Sequence, residues 1–476
     1  MSNTFYWHDY ETTGVNPRID RPNQFAGVRT DYDLNVIGEP LVEYCQPPYD
    51  VLPQPMAAMV TGITPQHAEE QGLPEPEFIR RIVAELGAAG TCGVGYNSLR
   101  FDDEVTRYTL WRNFREPYSR EWKNGCSRWD LIDVVRMTYA LRPEGIEWPT
   151  HDDGKPSFRL EQLTAANGIG HANAHDALSD VHATIAMAKL IKDKQPRLFG
   201  YALENKTKQA ARKLLDLNSH APAVHISSKF PADKGCLSLI MPLCPHPTNN
   251  NAVLVYDLRE DPSEMLELSA EDIHERIFTP RDSLPEGVER IGVKAIHVNK
   301  CPVLAPVKTL TEQQAERVQL DMAACRAHWK LIHDDIDLVN EKLTAVFQLG
   351  EFAANDDPEQ DLYGGFLSDE DRLLCDQIPE IDSSELEGWS PPFRDPRLHD
   401  ILFRYRARNF PQTLNQAEQD EWQSFRSKRI EFAPDGGITL EEYNWQIDEL
   451  RKQYSDDSGK LSVLDGLKQW GEKLAP

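Results

Sequence analysis

An acidic pair inside an aromatic, strand-like stretch places the strongest constraint on how this chain folds. Residues 5–14 read FYWHDYETTG, and residues two apart on a strand point to the same side. Asp9 and Glu11 therefore project together, while His8 and Tyr10 face the other way. Like charges on one rigid face repel, and a fold accepts this cost when a cation lies between them. Taken alone, such a pair is more often a solvated strand face; because hard cations such as Mg²⁺ take oxygen ligands, the alternative is half of a metal site, which further motifs must support.

Two further acidic motifs follow. In GYNSLRFDDEV, Asp102 and Asp103 occupy the first turn of a helix that follows a strand, where the helix dipole also favours acids. In NAHDALSD, His175 and Asp180 lie at the start of a later helix. Helical facing alone does not separate Asp102 from Asp103 as a metal ligand. The motifs together predict carboxylates from three elements beside one imidazole.

The order of strand-like and helical runs predicts a mixed α/β domain that ends near Lys194. Three strand-like runs in succession predict an antiparallel meander, and later strands alternate with helices. Thr64 followed by Pro65 is typical of a helix start. Ser157 is predicted to open another helix, which Asn167 and the following glycine close.

The sequence pattern changes after KQPRLFG. Residues 221–305 contain mostly strand-like runs, and helical patterns follow to about 347 and again near the C-terminus. The acidic stretch 351–387 begins as a linker and continues as a helix capped by Ser368. A chain of 476 residues is too long for one core. We therefore predict three domains, covering residues 1–195, 196–348 and 355–476.

Composition narrows the class of protein. The net charge of -26 argues against nucleic-acid binding through general surface charge, so any basic track must be local. No apolar run is long enough to span a bilayer and the N-terminus does not resemble a signal peptide, so we expect a cytoplasmic protein without membrane association. The 8 cysteines never form a C-x-x-C pair, which predicts reduced thiols rather than structural zinc.

The acidic motifs, in this order, resemble those of the DEDD family of 3′-to-5′ exonucleases, in its histidine-containing branch. Longer stretches, among them DRPNQFAGVRTD, SRWDLIDVVR, PSFRLEQLTAANGI, HVNKCPVLAP and YRARNFPQTL, resemble the bacterial exodeoxyribonuclease I family over almost the whole chain. The resemblance implies an α/β fold: a ribonuclease H-like exonuclease domain with a mixed sheet and helices, a Src-homology-3-like β-rich domain, and a C-terminal helical domain.

The resemblance also implies an activity, the 3′-to-5′ degradation of single-stranded DNA with release of 5′-mononucleotides, in DNA repair and recombination. Two Mg²⁺ ions, for which Mn²⁺ can substitute, would be held by Asp9, Glu11, Asp102 and Asp180, with Asp9 bridging them. His175 would take the proton from the attacking water. The family match places the helical metal ligand on Asp102.

Substrate and partner contacts follow from the same resemblance and from the loop after Glu11. The Glu11 carboxylate and the backbone N–H groups of Thr12 and Thr13 are expected to contact the terminal 3′-hydroxyl. Arg128 and Arg159 are candidate DNA contacts within a basic track. The family binds the acidic C-terminal tail of single-stranded DNA-binding protein, and Arg142 matches a position for that contact; a monomer is expected. Further basic candidates are Arg107, Arg112, Arg136, Lys206, Lys208, Arg212, Lys213, Arg404, Arg406 and Arg408.

Two other functions compete with this interpretation. A related exoribonuclease such as oligoribonuclease shares the motifs, but such chains are short and this one has two further predicted domains. A catalytically silent single-strand-binding or scaffold protein is the alternative from a different class. The presence of all five predicted catalytic residues argues against a silent protein.

Overall fold

The computed structural model describes residues 3–171, 176–349 and 355–476. The chain divides into two compact units, and each consists of segments that are distant in sequence. One unit comprises Met1–Arg128, His171–Ile185 and Ala353–Pro476, and the other comprises Trp129–Gly170 and Ala186–Phe352. The three-domain division predicted above stays a prediction, since these units group the segments by compactness alone.

The acidic strand lies in the centre of a mixed five-stranded sheet with strand order β3-β2-β1-β4-β5. β1 pairs antiparallel with β2, β2 pairs antiparallel with β3, and β1 pairs parallel with β4. The predicted meander is therefore confirmed. The strands are β1 (Thr4–Thr12), β2 (Pro22–Thr30), β3 (Leu41–Tyr44), β4 (Thr91–Gly95) and β5 (Ser127–Asp130).

Apolar and aromatic residues bury β1 on both of its faces. Trp7 is 0% exposed on the face that carries the acids, and Tyr10 on the other face packs with Phe25, Phe78 and Ile82. The strand is thus a rigid support for Asp9 and Glu11. The helices along this part of the chain are α1 (Pro55–Thr61), α2 (Pro65–Gln71), α3 (Glu75–Leu86), α4 (Asp102–Arg112), α5 (Leu131–Leu141), α6 (Leu160–Ala166) and α7 (Ala177–Lys194).

The predicted helix starts are partly correct. The Thr64 side chain accepts a hydrogen bond from the His67 N–H at the start of α2, with Pro65 at its first position, as predicted. The prediction that Ser157 opens α6 is wrong. Its hydroxyl accepts from the N–H of Arg159 in a turn that precedes the helix, and the helix begins at Leu160.

A second sheet, with strand order β10-β6-β7-β8-β9, is antiparallel throughout and lies in the unit that contains residues 186–352. Its core includes Val255, Ile240 and Ile296. The strands are β6 (Ala223–Ile226), β7 (Leu237–Pro245), β8 (Ala252–Asp257), β9 (Val293–His297) and β10 (Val303–Pro306). The helices of this region are α8 (Pro196–Glu204), α9 (Lys208–Leu214), α10 (Ser263–Glu267), α11 (Ala270–Phe278), α12 (Glu312–Arg317), α13 (Met322–Asp334) and α14 (Ile336–Val346).

The C-terminal segment is helical. Ser368 caps the helix predicted after the acidic linker, accepting from the N–H of Asp371. Trp470 and Tyr443, both 0% exposed, pack together with Met59 of α1 in one hydrophobic core. The helices are α15 (Asp369–Gln377), α16 (Arg397–Asn409), α17 (Gln416–Phe432), α18 (Leu440–Gln453) and α19 (Ser458–Leu474). Among the described residues, none of the helices has the length and apolarity that crossing a membrane requires.

Candidate metal centre and active site

Three of the predicted acidic residues converge in space although they are distant in sequence. One carboxylate oxygen from each of Asp9, Glu11 and Asp180 lies within 4.8 Å of the others. Asp9 and Glu11 project from the same face of β1, and Asp180 lies in the first turn of α7. This spacing allows one cation to contact all three carboxylates.

Asp102 lies against the same strand. Its Oδ1 accepts a hydrogen bond from the Tyr10 backbone N–H at 3.0 Å, between the two acids of β1. The hydroxyl of Thr106, one helical turn later, donates to the Asp102 carbonyl and lies 3.0 Å from the Tyr10 hydroxyl. α4 is therefore tied to β1 at the point where Asp102 joins the cluster.

Burial and neighbouring acids raise the pKa of three of these carboxylates. Burial, then Asp102, Glu11 and Asp180, raise the pKa of Asp9 well above its usual range. Burial, followed by Asp180 and Asp102, raises the pKa of Glu11 to about 8. Burial also raises the pKa of Asp102, to about 7. Mutual repulsion of this kind, in a set of oxygen donors, is what a hard divalent cation relieves. The donor set thus fits such a cation.

Asp103 is adjacent to Asp102 but belongs to a different environment. Its carboxylate accepts from Arg120 at 2.6 Å and from Arg128 at 2.9 Å, and it is 1% exposed. Burial alone would raise its pKa, but the two guanidinium groups hold the pKa of Asp103 well below its usual range. Asp103 is thus neutralised by arginines, whereas Asp102 contacts the acidic strand.

Three residues near the cluster were missed by sequence reasoning. The Gln24 side chain of β2 accepts from the Ala177 N–H at 3.3 Å and donates to Asp176 at 3.4 Å, which ties the start of α7 to the sheet. Asp176 also raises the pKa of Asp9 and of Glu11. His171 forms a hydrogen bond with Asp180 through Nε2. The proximity of Asp176 to Asp180 in the sequence was the only available signal.

The loop after β1 is tightly hydrogen-bonded. The Thr13 N–H donates to the Arg21 carbonyl at 2.8 Å, and the Thr13 hydroxyl accepts from the Arg21 N–H at 2.7 Å. The Thr12 hydroxyl donates to the Gly14 carbonyl at 2.6 Å. The Thr13 N–H thus has an acceptor inside the loop. The contact of Glu11, Thr12 and Thr13 with a terminal hydroxyl stays a prediction.

The predicted DNA and partner contacts lie in varied environments. Arg128 is 6% exposed and paired with Asp103 and Glu121, so its guanidinium belongs to a buried network. Arg159, by contrast, is exposed. Arg142 is half-buried and donates to the Thr309 carbonyl at 3.4 Å. Buried ion pairs also engage the further candidates Arg107, Arg112, Arg404, Arg406 and Arg408. His175 lies outside the described residues.

Three family models match successive parts of the chain. Residues 6–188 match "Exonuclease", 206–349 match "Exonuclease I SH3-like domain", and 356–474 match "Exonuclease I C-terminal domain". The mixed sheet with its convergent carboxylates and the first of these matches define the class: a ribonuclease H-like exonuclease.

Curated relatives then identify the family. Exodeoxyribonuclease I of Haemophilus influenzae is 46% identical over 99% of this chain and 98% of its own length, and that of Escherichia coli strain K12 is 46% identical over 100% and 98%. The chain belongs to the exodeoxyribonuclease I family. Oligoribonuclease of a Shewanella strain is 26% identical but covers only 40% of this chain.

Solved structures give the same result for the fold. Escherichia coli exonuclease I in complex with a dA16 oligonucleotide has a TM-score of 0.95 at 46% identity, and each chain is covered to 100%. The zinc-bound form of the Escherichia coli exonuclease I–single-stranded DNA complex has a TM-score of 0.93 at 45% identity. A structure of SSB/Exonuclease I in complex with the inhibitor CFAM has a TM-score of 0.92 at 44% identity. In these two comparisons, too, 100% of each chain is covered.

Proposed function

We propose that this enzyme degrades single-stranded DNA from the 3′ end and releases 5′-mononucleotides with the help of two divalent cations. The observation that carries the proposal is the convergence of Asp9, Glu11 and Asp180 within 4.8 Å, with Asp102 bonded to the strand between the first two. Carboxylates from three separate elements at one point are what a two-cation phosphodiesterase needs.

The proposed ligands are Asp9, Glu11, Asp102 and Asp180, and the proposed ions are Mg²⁺, with Mn²⁺ as a substitute, because all four side chains offer hard oxygen donors. When bound, two such ions stabilise the charge on the attacking and leaving oxygens of an in-line displacement. The hydrogen bond from Tyr10 to Asp102 fixes one of these carboxylates in place. We propose Asp9 as the ligand shared by both ions, since its charge interacts with the other three.

We propose His175 as the base that takes the proton of the attacking water. An imidazole titrates close to neutral pH, so it can accept a proton under working conditions. His175→Ala is expected to lower kcat about 100-fold or more with metal affinity largely kept. The dependence of the cleavage rate on pH, measured from about pH 5.5 to 9, should change in His175→Ala; an unchanged profile would assign the base to another residue.

Cleavage in the 3′-to-5′ direction requires that the enzyme recognise the 3′ end of the strand. Glu11 and the Thr12 backbone lie at the end of β1, next to the carboxylate cluster, and are proposed to contact the terminal hydroxyl. Arg159 is exposed and is proposed to contact the phosphate backbone. The solved complex of the Escherichia coli relative with dA16 supports single-stranded DNA as the substrate.

We further propose that the enzyme binds the acidic tail of single-stranded DNA-binding protein and that Arg142 is one contact. We also propose that it acts as a monomer in the cytoplasm, in DNA repair. The similar SSB/Exonuclease I structure supports this partner. Arg142→Ala is expected to weaken the complex without a change in cleavage of naked DNA. Binding of a labelled tail peptide, with Arg159→Ala as a control, tests this.

A single-strand oligonucleotide assay tests the whole proposal. With a 5′-labelled DNA strand and Mg²⁺, we expect a ladder that shortens from the 3′ end, and no cleavage by Asp9→Ala, which should still bind the strand. Cleavage of a matched RNA oligonucleotide tests the exoribonuclease alternative, since RNA and DNA differ by the 2′-hydroxyl. Binding without any release of mononucleotides would leave the silent single-strand-binding protein as the remaining interpretation.

A further inference from the structure

Gln24 of β2 lies beside the acidic strand, on the face that carries the carboxylate cluster. Its partner across the β1–β2 pair is Glu11. Directly paired residues of neighbouring strands point to the same face of a sheet, so the Gln24 side chain projects next to that of Glu11. Gln24 is 2% exposed. A long amide side chain at this position can therefore bind an element that packs over the cluster.

The element that Gln24 binds is the start of α7. Its Oε1 accepts from the N–H of Ala177, the first residue of the helix, at 3.3 Å, and its Nε2 donates to Oδ1 of Asp176 at 3.4 Å. The other carboxylate oxygen of Asp176 accepts from the Ser179 N–H at 3.2 Å. A residue just before a helix whose side chain accepts from the third helical N–H is the N-cap. Gln24 thus bonds both to the N-cap of α7 and to its first residue.

These contacts determine where Asp180 lies. Asp180 is in the first turn of α7, and its N–H donates to the Asp176 carbonyl at 3.0 Å. Because the first N–H groups of a helix lack partners within the helix, the groups that bind them fix where the helix starts. Mg²⁺ requires nearly ideal ligand distances, and a misplacement of about 1 Å at a reaction centre can cost about 100-fold in rate. The position of the helix start therefore matters for a cation that contacts Asp180.

The contacts of Gln24 also oppose a repulsion. Asp176 and Asp180, at the helix start, both raise the pKa of Asp9 and of Glu11 on the strand. Like charges at short range push the two elements apart. The amide of Gln24 is neutral, so it can hold the helix start against β1 without adding to this repulsion.

We propose that Gln24 is a positioning residue of the exonuclease reaction, which holds Asp180 at the distance from β1 that the cations require. It acts through Asp176 and the first turn of α7, and it touches neither the cations nor the DNA. The inference rests on the proposed metal ligands. Residues that orient metal ligands without binding the metal typically contribute about 10- to 100-fold in metal affinity or activity.

Gln24→Met tests the proposal, because methionine keeps the length of the side chain and removes the amide. We expect the affinity for Mn²⁺ and kcat each to fall about tenfold or more, with KM for a short single-stranded oligonucleotide changed less than about threefold. Mn²⁺ binding to the full-length enzyme without DNA is measured from the electron paramagnetic resonance signal of the free ion. An Mn²⁺ affinity within about twofold of that of the unmodified enzyme would overturn the proposal.

Tyr44→Phe is the matched control. The Gln24 amide also donates to the Tyr44 hydroxyl at 3.1 Å, and Tyr44 lies on β3. This variant removes one hydrogen bond of the same amide and leaves its contacts with α7. Mn²⁺ affinity and kcat are expected to equal those of the unmodified enzyme. A loss as large as that of Gln24→Met would show that the amide acts through β3, and would overturn its role in placing α7.

An exchange of donor and acceptor tests the contact itself. Gln24→Glu alone places two carboxylates against each other, and Asp176→Asn alone places two amides against each other, so each is expected to weaken Mn²⁺ binding. The two substitutions together restore one amide–carboxylate hydrogen bond at the same total charge, and asparagine caps a helix as well as aspartate does. The double variant should bind Mn²⁺ at least about fivefold more tightly than Gln24→Glu alone. Equal or weaker binding would overturn the contact.

Thermal unfolding in EDTA gives an assay temperature at which every variant is folded, so that a lower Mn²⁺ affinity reports on the site. The two proposals then fail in different ways. Mn²⁺ binding by an unmodified enzyme that releases no mononucleotides would overturn the proposed cleavage and leave the comparison of affinities valid. Normal cleavage by the unmodified enzyme, with full Mn²⁺ affinity in Gln24→Met, would overturn only the role of Gln24.

Discussion

At the scale of single residues, the adjacent acids Asp102 and Asp103 show how environment decides the role of a carboxylate. Both are almost fully buried in the first turn of α4. The pKa of Asp102 is raised by burial, whereas arginine partners lower the pKa of Asp103. Among the described residues Asp102 forms no ion pair, which suits the proposed metal ligand, whereas Asp103 pairs with two arginines.

Substitution of each acid by asparagine is expected to separate these roles. Asp102→Asn should abolish cleavage with little change in the free energy of unfolding, because it removes a carboxylate that repels its neighbours. Asp103→Asn should destabilise the protein by about 3–5 kcal/mol, because Arg120 and Arg128 lose a buried partner. Urea unfolding and oligonucleotide cleavage measure the two effects. Comparable losses of stability in both variants would contradict this division.

At the scale of elements, the turn that joins β1 to β2 depends on one glycine. A Cβ atom on Gly14 would lie 2.4 Å from an Asp20 carboxylate oxygen, and that carboxylate accepts from the Asn16 N–H at 2.7 Å. The loop between Thr12 and Arg21 therefore has no room for a side chain at this position. Any displacement there moves the end of the strand that carries Glu11.

Gly14→Ala is expected to displace this loop. It should destabilise the protein by about 1–3 kcal/mol, as other overpacked sites do, and lower the rate of cleavage by tenfold or so. Gly200→Ala is the matched control, since no atom lies within 4 Å of its added Cβ and Gly200 lies inside helix α8. The control should be neutral or slightly stabilising. Thermal unfolding and cleavage kinetics of both variants test the packing argument.

The carboxylate cluster joins β1, α4 and α7, and its charge makes stability depend on pH and on metal. Glu11 has a pKa of about 8 in the folded protein against an ordinary value of 4.5. An acid with a raised folded pKa binds its proton more tightly when folded, so the metal-free protein loses stability as the pH rises between these values. A bound divalent cation removes that repulsion and competes with protons.

Mg²⁺ is therefore expected to raise Tm more at about pH 8 than at about pH 5.5. Glu11→Gln should reduce both the loss of stability with pH in EDTA and the shift produced by Mg²⁺. Differential scanning calorimetry in EDTA and in Mg²⁺ gives both quantities. The same Mg²⁺ shift at the two pH values would contradict the assignment of the cation to this cluster.

Sequence patterns predicted elements well where a local rule decides the structure. The strand β1, the proline start of α2 and the serine cap of α15 follow from local chemistry and are confirmed. Ser157 obeys a local rule too, but it forms a turn instead of a cap. The partners of Asp103 and of Gln24 are distant in sequence, so no local pattern could identify them. The different environments of Asp102 and Asp103 likewise depend on tertiary contacts.

At the scale of the whole molecule, buried ion pairs join segments from the two ends of the sequence within the first compact unit. Asp50 is 0% exposed and accepts from Arg408 and from Arg429, each at 2.8 Å. Glu359 accepts from Arg21 at 3.0 Å and also pairs with Arg408. The pKa values of Asp50 and Glu359 are held well below their usual ranges by these arginines, against the opposing effect of burial.

Through this network the C-terminal segment and the first sheet fold as one compact unit. Asp50→Asn is therefore expected to lower the free energy of unfolding strongly. Removal of one charge from a buried pair costs about 3–5 kcal/mol, whereas loss of an exposed pair costs about 0–1 kcal/mol. Lys330→Ala, which removes an exposed pair with Asp334, is the control.

Because the folded pKa of Asp50 is depressed, its contribution to stability is present at neutral pH and is lost as the pH falls below the ordinary value of 3.8. The unmodified protein should therefore lose more stability than Asp50→Asn between about pH 4 and 2 in urea unfolding. Equal acid sensitivity of the two proteins would show that Asp50 does not connect these segments energetically.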